Sequence, residues 1–283
     1  MLQDNKIPRV SIVIPCYNHG KYIRETLKSI ERAKDSALYE IIIVNDGSTD
    51  EFTNNELQKL SEEGYHVIKQ KNAGQAAARN TAIAKSRGEY ILPVDSDNMI
   101  YPEYIYKCIE ILDADKSIAV VYGNAKTFGN KSGLLNPGNY NLQKLMLINY
   151  IDACAMYRRS LWEAVGGYDP KIPTIGYEDW ELWLNASFMG FKFLYIDEVM
   201  FEYRILDNST IHKLKTDKRK GDANIAYMVE KHKAYYGPQY IDMDIMKKFD
   251  QSPIGFTIKL ILKKYFPKKY DGLVLSGKLR RYI

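Results

Sequence analysis

Two aspartates, Asp95 and Asp97, lie one residue apart in the run Leu-Pro-Val-Asp-Ser-Asp-Asn that begins at residue 92. Hard divalent cations such as Mg²⁺ and Mn²⁺ prefer oxygen ligands, and proteins commonly hold them with one or two carboxylates and the phosphates of a substrate. Asp, Ser and Asn are also favoured in a turn that leads into a helix, here at Pro102. The pair therefore indicates either a metal site beside phosphates or a polar turn.

A third carboxylate, Asp179, belongs to a second polar segment. It stands in the run Tyr-Glu-Asp-Trp over residues 177–180, which follows the turn sequence Gly-Gly-Tyr-Asp-Pro over residues 166–170. An Asp at the start of a helix can be an N-cap or a partner of the helix dipole. In a partly desolvated cleft it can also act as a general base. The sequence alone leaves both roles open.

The elements that position these acids alternate between strands and helices. The pattern predicts strands at residues 10–15, 40–45, 65–70 and 90–95 and a helix over residues 74–86. Such alternation indicates a parallel sheet covered by helices, in which ligands bind beyond the carboxyl ends of the strands. Polar side chains stand at those ends, at residues 16–18, 45–47 and 95–97.

The pattern loosens beyond residue 100, where an α+β arrangement packed against the first half is predicted. Helices are expected over residues 102–112, after Glu178 and over residues 215–236, with strands at residues 118–122, 151–157, 191–196 and 201–204. The whole chain is therefore predicted to be α/β, with a Rossmann-like, mainly parallel central sheet flanked by helices.

Composition limits the class of protein. Of 283 residues, 46% are hydrophobic and 27% are charged, which excludes disordered and coiled-coil chains. Three cysteines without a Cys-x-x-Cys pair, and no apolar run of the roughly 18 residues that a membrane span needs, favour a cytoplasmic protein. After residue 250, eight basic residues against one acidic residue give a local charge of +7, more than the net +5 of the chain. Because the positive charge is confined to the tail, the rest of the chain is not expected to bind nucleic acid.

Taken together, the segments VSIVIPCYN, VNDGSTD, NAGQAAARN, VDSD and GGYD followed by GYEDWELW resemble those of family 2 glycosyltransferases of the GT-A fold. The resemblance extends from residue 10 to about residue 205. It implies an inverting, non-processive enzyme that uses Mn²⁺ or Mg²⁺ to move a hexosyl or N-acetylhexosaminyl group from a nucleoside diphosphate, expected to be UDP, to an acceptor hydroxyl. Residues 1–100 would form the nucleotide-sugar-binding half of the domain, residues 101–212 the acceptor and catalytic half, and residues 213–283 a helical, basic extension.

The resemblance also implies roles for residues on the donor side. Pro15 and Tyr17 would lie beside the base, and Asn45 stands where the family has an aspartate, although its amide can still pair with uracil. Arg79 would lie near the base and the diphosphate, and Asp97 would bind the metal. The remaining implied donor ligands are Asp46, Asp95, Ser96 and Arg204. The remaining implied metal ligands are Asp95 and His212, although a lone histidine on a loop is more often a solvated surface residue.

On the acceptor side, Asp179 matches the catalytic base of the family, and Glu178 would orient the site. Tyr177 and Trp180 would stack on the acceptor sugar, whereas most of the 23 tyrosines are expected to fill edges and interfaces. The implied acceptor is a glycan or a lipid-linked saccharide used in the assembly of a cell-surface glycan.

The tail contains a basic amphipathic helix. Its apolar residues are Ile254, Ile258, Ile261, Leu262, Tyr265 and Phe266, and its lysines are Lys259, Lys263 and Lys264. Such a helix can lie on an anionic membrane surface, which would attach the protein peripherally to the cytoplasmic face of a membrane. The same apolar face can instead pack on protein, and the sequence favours neither outcome.

Missing motifs exclude three related classes of enzyme. Processive synthases of the family carry membrane helices and a Gln-x-x-Arg-Trp motif, and neither occurs here. A dinucleotide-dependent oxidoreductase needs Gly-x-Gly-x-x-Gly after the first strand, where this chain has CYNHG, and a sugar nucleotidyltransferase needs a glycine-rich loop with Arg and Lys at that point. The alternative that stays open is a non-catalytic module that binds sugar nucleotides or glycans on the same fold.

Overall fold

A computed structural model describes residues 7–206, 218–236 and 252–276 of the chain. The chain divides into two compact units, Met1–Lys231 and His232–Ile283. The predicted boundary at residue 212 lies outside the described residues, and the predicted division of the larger unit at residue 100 stays a prediction.

The first unit is built on one mixed sheet of nine strands. The strands are β1 (Val10–Cys16), β2 (Tyr39–Asp46), β3 (His66–Gln70), β4 (Tyr90–Pro93), β5 (Met99–Ile100), β6 (Ile118–Gly129), β7 (Gly133–Leu135), β8 (Met156–Arg158) and β9 (Lys192–Ile205). Their order is β3-β2-β1-β4-β8-β6-β9-β5, with β7 paired to β6. Strands β1 to β4 are parallel neighbours, as are β6 and β9, whereas β5, β7 and β8 run antiparallel to their neighbours. The prediction of a mainly parallel sheet is confirmed.

Helices cover both faces of this sheet. They are α1 (Gly20–Glu31), α2 (Glu51–Glu62), α3 (Gly74–Ala84), α4 (Pro102–Ala114), α5 (Leu142–Leu147), α6 (Arg159–Val165), α7 (Glu178–Phe188) and α8 (Lys218–Lys231), with a 3-10 turn at Ser36–Leu38. One apolar cluster joins the sheet to α1, α2 and α4. The other joins it to α3, α6 and α7 and includes Met228 of α8. Strand β1 is buried along its whole length, as expected for a central parallel strand with a helical layer on each side.

Two predicted elements differ from the structure. Strands predicted at residues 191–196 and 201–204 are one strand, β9, because irregularities in its register with β6 absorb the polar residues between the two apolar runs. The strand predicted at residues 151–157 is reduced to β8. The chain turns before it, where the Asp152 carboxylate accepts the backbone N–H of Cys154 and the Ala153 carbonyl accepts the N–H of Ala155.

The second unit contains α9 (Pro253–Tyr265) and α10 (Pro267–Leu275). Ile254, Ile258, Ile261 and Tyr265 of α9 are exposed, whereas Phe256 is buried, and the lysines of this helix follow from its middle onward. None of the helices in the described ranges is both long enough and apolar enough to cross a membrane.

Candidate active site

A cavity of about 660 Å³ opens in the first unit beyond the carboxyl ends of β1, β2 and β4. It brings together side chains from distant parts of the sequence, among them Tyr17, Asp46, Asp97, Asp179 and Arg204. In a parallel sheet this edge is the expected place for a ligand. The cavity is therefore the candidate active site.

The turn after β1 is fixed by Asn18, which presents Tyr17 to the cavity. Asn18 has a positive φ of 55°, which Asn tolerates better than most residues. Its side-chain oxygen accepts the backbone N–H groups of Thr49 at 2.7 Å and Asp50 at 3.2 Å, so that the turns after β1 and β2 are bonded together. Pro15 and the half-exposed Tyr17 line the cavity, where a flat ligand can stack on the phenol ring.

Asn45 and Asp46 end β2, and of the two only Asp46 is among the residues that line the cavity. The buried Asn45 side chain accepts the backbone N–H of Ser48 at 2.9 Å and donates to the Asn54 side chain at 2.9 Å. The Asp46 carboxylate accepts the backbone N–H groups of Ala73 and Gly74, both at 2.9 Å. Asn45 therefore holds its own turn, and Asp46 ties that turn to the start of α3.

Asp95 and Asp97 follow β4 with the buried Ser96 between them, and all three line the cavity. Burial, and after it the charge of Asp95, raises the pKa of Asp97 to about 7. The Nδ1 atom of His19 lies 3.8 Å from one Asp97 oxygen, a contact that sequence reasoning missed. The Asp95 and Asp97 carboxylates and the His19 imidazole thus all line the cavity, with His19 beside Asp97.

The donor set at Asp97 fits a divalent cation. Burial is the main cause of the raised pKa of Asp97 and the negative charge of Asp95 adds to it, so a bound cation would favour the ionised form of this carboxylate. Within the described ranges no group of three or more His, Cys, Asp and Glu side chains forms a complete metal site. Two carboxylates would leave the remaining coordination positions to phosphate and water, as is usual for Mg²⁺. His212, the other implied ligand, lies outside the described residues.

Arg79 of α3 is a buried bridge between two acids on different elements. Its guanidinium is 2% exposed and donates to Asp95 at 2.8 Å and to Glu178 at 3.0 Å. Glu178 is also buried, and its second oxygen accepts the backbone N–H of Gly176 at 2.8 Å. Arg79 therefore couples the segment that carries Asp97 to the start of α7, which carries Asp179.

Asp179 lies at the start of α7 and lines the cavity. Burial, and after it the charge of Glu178, raises the pKa of Asp179 to about 6, although Arg79 and Asn149 act in the opposite direction. The Asn149 amide donates to both carboxylate oxygens, at 3.1 and 3.2 Å. A carboxylate with this pKa is ionised at neutral pH and basic enough to accept a proton from a reacting hydroxyl.

Asp152 is an acid of the cavity that sequence reasoning missed. Burial, and after it the charge of Asp95, raises its pKa to about 7. The available signal was its position in the otherwise apolar run Ile-Asp-Ala-Cys-Ala-Met-Tyr over residues 151–157, where a charged residue interrupts the predicted strand. Asn149 gave no comparable signal, because its partner Asp179 is 30 residues away.

Trp180, one of the two aromatic residues expected on the acceptor side, lies in the core instead. It is 4% exposed, belongs to an apolar cluster and donates its indole N–H to the Leu145 carbonyl. The expectation that Trp180 stacks on an acceptor sugar is therefore wrong. The other aromatic residue, Tyr177, is half-buried, and its ring centroid lies 5.2 Å from that of Trp180 in an edge-on contact. A contact of Tyr177 with the acceptor stays a prediction.

Arg204 lines the cavity near the end of β9 and is held on several sides. Its Nε donates to the Asp97 carbonyl at 2.9 Å, and its guanidinium pairs with Glu25. The guanidinium carbon also lies 4.6 Å from the ring centroid of Tyr22 and 4.3 Å from that of Phe128. The charge of Arg204 is therefore fixed beside the carboxylate pair.

Comparison with known proteins agrees with this fold. A family model described as glycosyl transferase family 2 matches residues 11–166. A chondroitin synthase from Pasteurella multocida (strain Pm70) is 28% identical over 304 residues, which cover 95% of this chain. The chain spans 30% of the length of that curated relative.

Solved structures with low sequence identity share the fold. TarS from S. aureus in complex with UDP-GlcNAc aligns with a TM-score of 0.58 at 20% identity, covering 71% of this chain and 60% of TarS. The mannosyltransferase PcManGT from Pyrobaculum calidifontis, in complex with GDP-Man and Mn²⁺, aligns with a TM-score of 0.60 at 18% identity, covering 80% of this chain and 65% of PcManGT. The predicted GT-A fold is confirmed, and the chain belongs to glycosyl transferase family 2.

Proposed function

We propose that this chain is an inverting, non-processive glycosyltransferase that moves a sugar from a nucleoside diphosphate to an acceptor hydroxyl. The observation that supports it most strongly is the meeting of Asp97 and Asp179 in one cavity, although they are far apart in sequence. Such a cavity offers a carboxylate for a cation beside the donor phosphates and a second carboxylate for the acceptor. A single direct displacement at the anomeric carbon needs these two functions and inverts its configuration.

The relatives support the donor and acceptor classes of this proposal. Related structures contain UDP-GlcNAc in one protein and GDP-Man with Mn²⁺ in another. A chondroitin synthase is among the relatives, which favours a glycan acceptor. On this basis a UDP-sugar is the proposed donor and a glycan or lipid-linked saccharide is the proposed acceptor.

In the proposed mechanism the oxygen of the acceptor hydroxyl attacks the anomeric carbon of the donor while Asp179 accepts the hydroxyl proton. The bond between the anomeric carbon and the diphosphate oxygen breaks, and the nucleoside diphosphate leaves. Asn149 holds both Asp179 oxygens, which orients the carboxylate for that transfer. Glu178 acts through Arg79, which fixes the Asp95 and Asp179 segments relative to each other. Arg204 supplies a fixed positive charge beside Asp97.

The same mechanism assigns the metal to the carboxylate pair after β4. Asp97, with Asp95 beside it, would hold Mn²⁺ or Mg²⁺, which when bound offsets the negative charge of the diphosphate leaving group. The donor base would lie against Pro15 and Tyr17, in the turn after β1 that Asn18 bonds to the turn after β2.

A thermal-shift screen tests the proposed donor class. We expect one class of nucleoside diphosphate sugar to raise the melting temperature, and to do so more strongly with Mn²⁺ present, because a ligand that binds only the folded state stabilises it. Transfer to acceptor saccharides is then measured with that donor. Donor binding without turnover over any acceptor would support a non-catalytic binding module instead.

We further propose that α9 attaches the protein to anionic membranes. Apolar side chains of this helix are exposed, and lysines at positions 259, 263 and 264 lie on the same helix. An amphipathic helix of this kind gains affinity from its buried apolar area and from attraction to anionic lipids. Attachment would bring the active site to a lipid-linked acceptor.

Vesicle sedimentation tests the membrane proposal. We expect the full chain to bind phosphatidylserine vesicles and to lose that binding when Ile258 and Ile261 are both changed to Asp, because charged residues on the apolar face oppose its insertion. The control changes Leu134 and Leu135, which are exposed on β7, to Asp in the same way. Equal binding by the wild type and the Ile258/Ile261 variant would contradict membrane attachment through α9.

A further inference from the structure

The loop of residues 170–177 forms one wall of the cavity. It supplies Thr174, Ile175 and Gly176 to the lining and leads directly into α7 and Asp179. A Cβ atom on Gly74, at the start of α3, would lie 3.9 Å from the Cγ1 atom of Ile175. The loop therefore reaches from the start of α7 to the start of α3, beside the proposed base.

Helix α8 holds the middle of this loop through one buried side chain. Asn224 is 0% exposed. Its amide nitrogen donates to the Thr174 carbonyl at 2.9 Å, and its amide oxygen accepts the Thr174 backbone N–H at 2.9 Å. A side-chain amide has one acceptor and one donor group, and Asn224 uses both on the two backbone groups of a single loop residue.

The same helix is bonded to the chain before and after the loop. Tyr227 donates its hydroxyl proton to the Asp169 carboxylate at 2.8 Å, just before the loop begins. Lys231 contacts Asp169 at 2.5 Å and Glu181 at 2.7 Å, and Glu181 is on α7, two residues beyond Asp179. Helix α8 therefore holds the loop at its start, in its middle and beyond its end.

We infer that α8 sets the position of the acceptor side of the active site, with Asn224 as a positioning residue for the loop of residues 170–177. This inference rests on the proposed glycosyltransferase function. Helix α8 lies outside residues 11–166, which the family model matches, so acceptor recognition depends on a part of the chain beyond that match. Among the described residues, the bonds of Asn224, Tyr227 and Lys231 go to Thr174, Asp169 and Glu181, whereas the proposed donor residues lie on the turns after β1, β2 and β4.

The test compares Asn224→Ala with the wild type and with Ala226→Gln, a change at an exposed position of the same helix. We expect Asn224→Ala to accelerate hydrogen exchange in residues 170–177, since the Thr174 N–H loses its acceptor. With p-nitrophenyl glycosides as acceptors, kcat/KM for the acceptor should fall about tenfold, mainly through KM. The Kd for UDP with Mn²⁺ should stay within about twofold of the wild type.

A further variant keeps the inference testable if Asn224→Ala unfolds. Tyr227→Phe removes only the bond to Asp169. It should change exchange and acceptor KM in the same direction by smaller factors. Unchanged exchange in residues 170–177, or a Kd for UDP that rises as much as the acceptor KM, would overturn the inference.

The same experiment separates this inference from the proposed function. If the wild type transfers no sugar to any acceptor, the proposed function fails. The positioning of the loop by α8 would then still be decided by hydrogen exchange and by UDP affinity, neither of which requires turnover.

Discussion

Changing Asp179 to Asn should lower kcat by about 10²–10⁴-fold while leaving the affinity for UDP and Mn²⁺ close to that of the wild type. Asn has nearly the same shape and can still accept a hydrogen bond from Asn149, but it cannot accept the proton of the acceptor hydroxyl. The measurement is a steady-state rate over a range of acceptor concentrations, combined with calorimetric titration of UDP.

The pH dependence gives the same prediction a second readout. Because burial and Glu178 raise the pKa of Asp179 to about 6, kcat/KM of the wild type should fall as the pH drops through that value, where the carboxylate gains its proton. At saturating Mn²⁺, which would keep Asp97 ionised, the residual activity of Asp179→Asn should lack the part of this fall that Asp179 causes. Asp115→Asn, the same change at an exposed position outside the cavity, is the control, and wild-type rates in Asp179→Asn would refute the assignment of the base.

The second large effect concerns stability. Changing Arg79 to Met should reduce the free energy of unfolding by about 3–5 kcal/mol, because it leaves Glu178 buried without its charged partner. Equilibrium denaturation in urea measures this loss. The double variant Arg79→Met/Glu178→Gln should recover part of the loss, since it removes the unpaired charge as well.

Arg24→Met provides the matched control for Arg79→Met. Arg24 also pairs with two acids, Glu56 and Glu63, but its side chain is 40% exposed. Water and salt screen such a pair, so its removal should change stability far less. If both substitutions destabilise the protein equally, Arg79 is not the buried bridge that fixes Asp95 and Glu178.

Much of the fold could be predicted from the sequence, because the spacing of apolar residues within one strand or one helix involves only neighbouring positions of the chain. The mostly apolar run at residues 10–15 and the helical spacing of Ile23, Leu27 and Ile30 predicted β1 and α1, which the structure confirms. The register between β6 and β9 was not predictable in this way. It depends on pairing between residues about 75 positions apart, and its irregularities join two predicted strands into β9.

The site was only partly predictable for a similar reason. The motif resemblance led to Asp97, Asp179 and Arg79, and all three line the cavity. It did not lead to Asn149 or Asn224, because no sequence pattern predicts that an asparagine will form a hydrogen bond with a residue on a distant element.

Trp180 is a residue that the sequence led to but whose predicted role was wrong. An aromatic residue beside a proposed base suggests a sugar-binding platform, but neighbouring positions on a helix point about 100° apart. Asp179 lines the cavity, while the next residue packs in the core. The position of a side chain around the helix axis, more than its type, decided its environment here.

Asp97 is proposed to hold the cation that binds the donor diphosphate, and calorimetric titration of UDP with and without Mn²⁺ measures this role. We expect the wild type and Asp179→Asn to bind UDP more tightly with Mn²⁺ than without it, and we expect Asp97→Ala to lose that dependence. An Asp97→Ala variant that binds UDP with the wild-type affinity and the same response to Mn²⁺ would show that Asp97 does not hold the cation.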